Sequence, residues 1–453
     1  MFDETKTRDM TVGDPLRHII GFAVPLIAGN LLQQLYGVVD TAVVGRGVST
    51  QALAAVGASV SLSMLIIDMI NGFTNGFAIS VTKHFGSKDE DRIKKSVLMS
   101  FYLSMLIAVV MSVLSLIFSR PLLQLLGTPS DIIDLSVLYI SVIFAGIPTM
   151  VFYNMSAGVL RAFGNSTVPL LVVSAASILN ILADLLFVLV FRWGVVGVAL
   201  GTVLANVFCC PVCIFYLKKL PQLKFCREDY RWDMKMAGEL LYLGAPMACM
   251  HFITAAGVAI LQFVVNSMGS LIVAAYVVAH RIVEFSYQSV DLTAYSTSVF
   301  VGQNAGAGRL DRVKQSVRTA FGLCFGLSAV IAVVLIFFGK PIIALFVGSD
   351  SAQVISAAYP YLAVCGSMIW SLGLLFLYRC ALQALGNTVV PMFSGLIELA
   401  LRLAVVFILP QSWGFYRICM AESAAWLFAM LMLLAAYKSR IRVLEKNPVR
   451  TEI

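Results

Sequence analysis

Apolar runs of ~20 residues, the length that crosses a ~30 Å hydrocarbon core, fall at roughly 19–40, 53–82, 94–118, 132–153, 168–191, 195–217, 239–265, 271–300, 314–338, 352–378, 389–409 and 414–437. The pattern predicts twelve membrane-spanning helices. The last six repeat the first six. Asp91-Arg92-Ile93-Lys94-Lys95-Ser96 returns as Asp311-Arg312-Val313-Lys314-Gln315-Ser316, 220 positions on, and Gly86 with Gly306, Pro121 with Pro341, Tyr139 with Tyr359, Gly146 with Gly366 and Trp193-Gly194 with Trp413-Gly414 keep that register. AFGNSTVP at 162–169 matches ALGNTVVP at 384–391 with an offset of 222, and Pro25 matches Pro246 at 221. An even number of spans per half leaves both halves in the same orientation. The expected fold is therefore an all-α integral membrane protein, with twelve transmembrane helices in two six-helix lobes related by a pseudo-two-fold axis along the membrane normal. The expected parts are an amino-terminal lobe at 1–217, a cytoplasmic linker at 218–235 and a carboxy-terminal lobe at 236–453, with a cleft at the seam.

Composition agrees. At 60% hydrophobic residues, 12% charged residues and a mean hydropathy of +0.90, a water-soluble domain of this size would be apolar all over its surface. The net charge of +8 raises nucleic acid as a partner, but its distribution speaks for topology. With the amino terminus inside, the cytoplasmic segments hold 25 of the 32 Lys and Arg; the outer loops hold Arg46, Arg120, Arg192, Lys340 and Arg417, and Arg281 and Arg402 lie within spans. Such a bias sets both termini in the cytoplasm of a multi-pass cell-membrane protein. The polar first eighteen residues do not read as a cleaved signal. The linker KKLPQLKFCREDYRWDMK reads as a solvated topology anchor or a surface-lying amphipathic stretch. Cys209, Cys210 and Cys213 form the one cysteine cluster; with no partner cluster, they read as packing residues, and no structural metal is expected. Pro148, Pro211 and Pro360 fall within spans, where they bend helices.

Ionisable side chains inside a span cost from ~2.5 to more than ~10 kcal/mol, so each needs a partner, a wet cavity or a task. The first half has Asp40 at the end of its first span, Asp68 in the second and Asp184 in the fifth. The second half has His280, Arg281, Glu284 and Asp291 in the eighth, Glu398 and Arg402 in the eleventh and Glu422 in the twelfth. Arg281 and Glu284 are three apart and Glu398 and Arg402 four apart, so each pair shares a helix face and reads as a structural ion pair before a substrate ligand. The spans of the first half hold no basic residue. On the fifth, Ser177, Asn180 and Asp184 fall at i, i+3 and i+7, which lines a hydroxyl, an amide and a carboxylate along one stripe. Asn180 corresponds to Arg402 across the repeat. Low dielectric penalises a charged carboxylate, so Asp40 and Asp184 are candidates to exchange a proton. With Asn180 and a backbone carbonyl they would instead offer Na⁺ hard oxygen ligands. The plainer readings are a capped structural acid for Asp184 and an interface position for Asp40.

These segments resemble the multidrug and toxic compound extrusion (MATE) family of the wider flippase superfamily. The likeness is carried by Pro25 with Leu32, Gln33 and Gln34; by Val39-Asp40-Thr41 followed by Val44-Gly45-Arg46; by the Gly86 and Gly306 turns; and by Gly164-Asn165 and Gly386-Asn387 ahead of Pro169 and Pro391. It covers about residues 14 to 438. The resemblance implies a V-shaped pair of lobes whose central cavity opens alternately to each side, and export driven by inward H⁺ or Na⁺ with no cofactor. It also implies a coupling-ion site of acidic and amide residues in the amino-terminal lobe; the matching positions are Asp40, Asn154, Asn180 and Asp184. Gln34, Ser177, Arg281, Glu284, Glu398 and Arg402 are secondary polar candidates for the cavity. Some members of the family carry a carboxylate on the seventh helix; here Glu239 stands only at that span's entrance, and Glu284, Glu398 and Arg402 are the second-lobe alternatives.

The expected function is secondary active antiport, exporting organic, cationic, drug-like molecules in exchange for H⁺ or Na⁺. The alternative is a lipid-linked saccharide flippase. A pyrophosphate would call for several unpaired Arg or Lys, whereas Arg281 and Arg402 each have an acidic neighbour. An enzyme is not expected: there is no His-Glu-x-x-His and no paired Gly-x-Ser-x-Gly, and His18, His84, His251 and His280 lack ligand spacing. The expected partners are small organic substrates and the bilayer, not nucleic acid, with the chain acting as a monomer.

Overall fold

The computed structural model describes residues 7–348 and 351–446, with backbone alone at 36, 38–42, 44–47, 50 and 411. Among the described residues all regular structure is helical. In order these are α1 (Pro15–Gly47), α2 (Thr50–Ser87), α3 (Glu90–Leu125), α4 (Ile133–Ala145), α5 (Ile147–Ala162), α6 (Thr167–Asp184), α7 (Gly194–Lys218), α8 (Met234–Asn266), α9 (Ser270–Gly306), α10 (Leu310–Phe337), α11 (Gly339–Val347), α12 (Ala352–Ala384), α13 (Val389–Ile408) and α14 (Tyr416–Lys446). Eleven of them are long and apolar enough to cross a bilayer singly. The twelfth span is α4 with α5, bent by 44°. Gly146 separates the two, and Pro148, which has no N–H to donate back, sits in the first turn of α5. In the second half α12 runs unbroken through Gly366.

The repeated Gly-Asn motif has a local cause. Gly164 and Gly386 both adopt φ +80°, the left-handed conformation that closes a helix. The next residue starts the following helix: Asn165 Oδ1 accepts from the N–H of Thr167 and Val168 at 3.1 and 3.0 Å, and Asn387 Oδ1 accepts from Val390 N–H at 3.2 Å. One short sequence thus ends α5 and opens α6, and does the same for α12 and α13.

The chain divides into two compact units, one of Met1–Asp9 and Val24–Ala248, the other of Met10–Ala23 and Cys249–Ile453. Two helices are shared, in opposite senses: α1 changes unit after Ala23, two residues before Pro25, and α8 changes after Ala248, two residues past Pro246. In the first unit α2 meets the early turns of α8 at a glycine seam. A Cβ on Gly76 would lie 2.5 Å from Gly244 Cα, so any side chain there would force the helices apart. Small polar residues also let α3 pack closely: Ser96, Ser100, Ser104, Ser112, Ser115 and Ser119 are all buried, and Ser112 Oγ donates to Phe144 O of α4 at 2.6 Å. The 218–235 segment is more than solvated polar chain, since Leu220 and Leu223 are buried in the first unit's core and Trp232 stacks on Tyr102. Cys209 and Cys213 are buried there too. In the second unit α12 is the central helix, packed by α9, α10 and α14, with Tyr361, Tyr276 and Phe415 edge-to-face or stacked at its core.

Candidate functional site

In the first unit α6 turns Ser177, Asn180 and Asp184 into the interior, with 8%, 2% and 1% of their surface exposed. The stripe read from the i, i+3, i+7 spacing is present. Asp184 is the last residue of α-helical α6, and from Leu185 to Val190 the backbone widens into a π-helical turn, an irregularity often found at functional positions. Against this turn stands Gly201 of α7. A Cβ there would fall 2.0 Å from Asp184 Oδ1 and 3.5 Å from Asn180 Nδ2, so the carboxylate and the amide rest on bare backbone. Both polar atoms of the Asn180 amide are buried and make no hydrogen bond among the described residues. Leaving such groups unsatisfied costs ~1–3 kcal/mol each, so the amide is free to bond a small polar or ionic partner. An amide oxygen beside a carboxylate is a donor set for a small hard cation.

Two other first-half candidates have hydrogen bonds of their own. Ser177 Oγ donates to Val173 O of its own helix at 2.8 Å. Asn154 Nδ2 on α5 donates instead to Asn71 Oδ1 of α2 at 2.8 Å. Gln34 is half-buried on α1. The side chain of Asp40, also on α1, lies outside the described residues.

In the second unit four buried charged side chains form one network. Arg379 of α12 donates to Glu398 and, at 3.1 Å, to Ser394 Oγ, both on α13. Arg402 Nη2 lies 3.7 Å from Glu398 Oε2 one turn away and 3.1 Å from Glu422 Oε2 on α14, to which Arg402 Nε also donates at 3.2 Å. Exposures run from 2% to 7%. Two guanidiniums and two carboxylates cancel, which is how buried charge is tolerated. The Glu398–Arg402 pair was legible from its spacing, and Glu422 was placed in its span without a partner; Arg402 is that partner.

Arg379 corrects the sequence reading, which assigns it to a cytoplasmic connection because the apolar run stops at 378. The helix continues to Ala384, Arg379 is buried within it, and the cytoplasmic total of Lys and Arg becomes 25 − 1, or 24. The apolar stretch Cys380-Ala381-Leu382 before the Gly386 cap was the available signal. The second expected pair forms on α9, where Arg281 Nη1 donates to Glu284 Oε2 at 2.9 Å. These side chains are 54% and 27% exposed and take no part in the network.

The two repeats are matched separately, at residues 25–186 and 246–408, by the family model described as MatE. The chain belongs to the MatE family. Among similar proteins of this family is the probable multidrug resistance protein YoeA of Bacillus subtilis, 30% identical over 334 residues and 72% of each chain. The multidrug export protein MepA of Staphylococcus aureus is 23% identical over 420 residues, 91% of this chain and 92% of MepA. Among solved structures, a MATE transporter in complex with MaL6 superposes with a TM-score of 0.91 over 99% of this chain and 100% of that one, at 21% identity. A transporter of the MOP superfamily from Pyrococcus furiosus, described by the reverse polarity of its binding pocket, gives 0.89 over 97% and 99% at 22% identity. At those identities the MatE-family likeness to solved structures concerns the fold: two lobes of six helices.

Proposed function

We propose that this MatE-family chain is a secondary active antiporter of the cell membrane, with both termini cytoplasmic, that exports organic, cationic, drug-like compounds in exchange for inward H⁺ or Na⁺. The observation that carries the reading is the buried Asn180 amide, unsatisfied among the described residues and held with Asp184 against Gly201. Names of multidrug resistance and export proteins among its relatives support the substrate class. The proposed functional halves are those of the repeat, 1–217 and 236–453, joined by 218–235.

In this scheme Asp184 and Asn180, with Asp40 on α1 and Asn154 on α5 as further proposed contributors, take up H⁺ or Na⁺ from outside. The positive charge gained weakens the attraction for a bound organic cation, which leaves. Opening inward releases the ion and restores a negative site. One charge moving through 100 mV supplies ~2.3 kcal/mol, enough for a concentration ratio of roughly tens. Adaptable Met and Phe side chains suit a promiscuous lining, and the chain has 19 Met and 29 Phe. The neutral network leaves no surplus cationic charge for a pyrophosphate, which weighs against the flippase alternative. Gln34, Arg281 and Glu284 remain proposed secondary contacts.

The test uses vesicles loaded with a fluorescent cationic dye. An imposed proton or Na⁺ gradient should drive efflux, and Asp184→Asn should abolish it while the protein remains extractable and monodisperse. Undiminished gradient-driven efflux by Asp184→Asn would remove this site from coupling. Running the assay once with each ion separates H⁺ from Na⁺.

A further inference from the structure

The second unit holds a cavity of about 410 Å³ away from the sites described above, with α10 and α14 as its walls and α12 as its floor. Four cations line it: Lys314 and Arg318 on α10, Lys438 and Arg442 on α14. Each pair is four residues apart, so both cations of a pair face the same way. Lys314 is paired with Glu445 at 2.6 Å; among the described residues Arg318, Lys438 and Arg442 form no ion pair. Two tyrosines form the inner surface, Tyr378 from α12 and Tyr437 from α14, with ring centroids 5.6 Å apart. Tyr437 is 8% exposed and its hydroxyl is buried with no hydrogen-bond partner among the described residues. That phenol has a proton to donate, and the cations around it favour an anionic acceptor.

Polarity is graded along the helix axes. On α10 Phe321 lies seven residues beyond Lys314, about 10 Å deeper at 1.5 Å per residue, and on α14 Leu434 lies eight residues before Arg442. Both line the same cavity. Charge therefore sits at the helix ends that the Lys/Arg bias assigns to the cytoplasm, and apolar surface sits toward mid-membrane. That gradient is complementary to a lipid, not to a freely diffusing anion.

We propose that this cavity is a binding site for one anionic phospholipid of the cytoplasmic leaflet. Its phosphodiester accepts from Arg318, Lys438, Arg442 and the Tyr437 hydroxyl, and its acyl chains lie over Phe321 and Leu434. Basic pockets between transmembrane helices on this side are the expected receptors for such headgroups. The site belongs to one repeat only. Register 220 gives Leu98 for Arg318 (318 − 220), Leu217 for Tyr437 (437 − 220) and Gln222 for Arg442 (442 − 220), while Lys94 and Lys218 match Lys314 and Lys438. The inference is independent of what the protein transports.

The experiment is native mass spectrometry of the full chain in detergent, titrated with dioleoyl phosphatidylglycerol, dioleoyl phosphatidylcholine or inorganic phosphate, with thermal unfolding followed in parallel. Phosphatidylglycerol should bind as a discrete single adduct and raise the unfolding midpoint; the other two should do neither. Arg318→Gln with Arg442→Gln should weaken that adduct about 25-fold, taking about fivefold per surface-membrane cation. Tyr437→Phe keeps the ring packing, so it should fold normally and still weaken the adduct about tenfold through the lost hydrogen bond to a charged group. Lys94→Gln with Lys218→Gln, on the first unit, should change nothing. Equal binding of the two lipids, or an adduct undiminished in both Tyr437→Phe and the double arginine variant, overturns the proposal. Equal stabilisation by inorganic phosphate would make the cavity an anion site and not a lipid site.

Discussion

Asn180 and Arg402 occupy the same place in the two repeats (402 − 180 = 222), and around them the two units solve burial of polarity in opposite ways. In the second unit Arg379, Glu398, Arg402 and Glu422 neutralise one another, although Arg379 Nε, Arg402 Nη1 and Glu422 Oε1 are buried without a hydrogen bond among the described residues. Their counterparts in the first are Ala157, Ala176 and Asn180 at offset 222 and Thr202 at offset 220: two methyls, an amide and a hydroxyl. Conversely Asp184 has Val406 as its partner position (406 − 184 = 222), and Gly201 has Ala421 (421 − 201 = 220). The glycine is needed only where a carboxylate lies against the helix backbone. A charge-balanced network braces its helices, whereas the Asn180 amide, with both polar atoms unbonded among the described residues, is available for something that comes and goes. Duplication preserved the helices and their caps, and the interior chemistry diverged.

Breaking the braced side should have the largest effect on stability. Glu398→Gln leaves Arg379 and part of Arg402 as uncompensated buried charge, at a cost of ~3–5 kcal/mol; the thermal midpoint of the purified protein in detergent should fall sharply or the variant should fail to accumulate. Arg379→Met with Glu398→Leu removes both charges and should be milder than Glu398→Gln alone. If the double substitution proves the worse, the network does more than neutralise charge.

Gly201→Ala probes the open side. The added methyl would sit 2.0 Å from Asp184 Oδ1, so the carboxylate must move. Gradient-driven dye efflux should drop by about tenfold, since a shift on the order of an ångström costs at least that much in a positioned site, with yield little changed. The matching Ala421→Gly should alter efflux by less than about twofold, and equal losses in the two would erase the contrast between the units.

Arg402→Lys keeps the charge but gives up the planar fork that reaches Glu398 and Glu422 together. A loss of about 1–2 kcal/mol in unfolding experiments is expected, well short of that for Glu398→Gln. The smallest effect belongs to the solvent-side pair Arg120–Asp134, 3.0 Å apart with side chains 54% and 79% exposed. Asp134→Asn should shift stability by no more than ~1 kcal/mol, and a larger drop would show that exposed pairs also brace the first unit.

Particular residues show how far the sequence could be read. The α6 stripe and the two second-unit pairs, Arg281–Glu284 and Glu398–Arg402, were legible because spacing within one helix fixes which side chains share a face. Arg379 was not, because an arginine seven residues before the Gly386 cap looks the same in sequence whether it meets water or a carboxylate on another helix. Gly201 carried no motif at all, and its meaning came from the Asp184 oxygen opposite. Asn154, grouped with Asn180 and Asp184 by resemblance, donates through Nδ2 to Asn71 Oδ1 of another helix, a contact that spacing could not show.

The sequence by itself determined the twelve spans, their doubling, the caps between them and the face each helix buries, since hydrophobic length, helical period and glycine or proline backbone limits are local properties. Tertiary structure alone decided which buried polar groups meet. Side chains on different helices, such as Arg379 with Glu398 (398 − 379 = 19 residues apart) or Asp184 with Gly201 (201 − 184 = 17), become neighbours only once whole helices pack. In a medium with no water to fill the gaps, that adjacency separates a charge that is held from an amide that still lacks a partner.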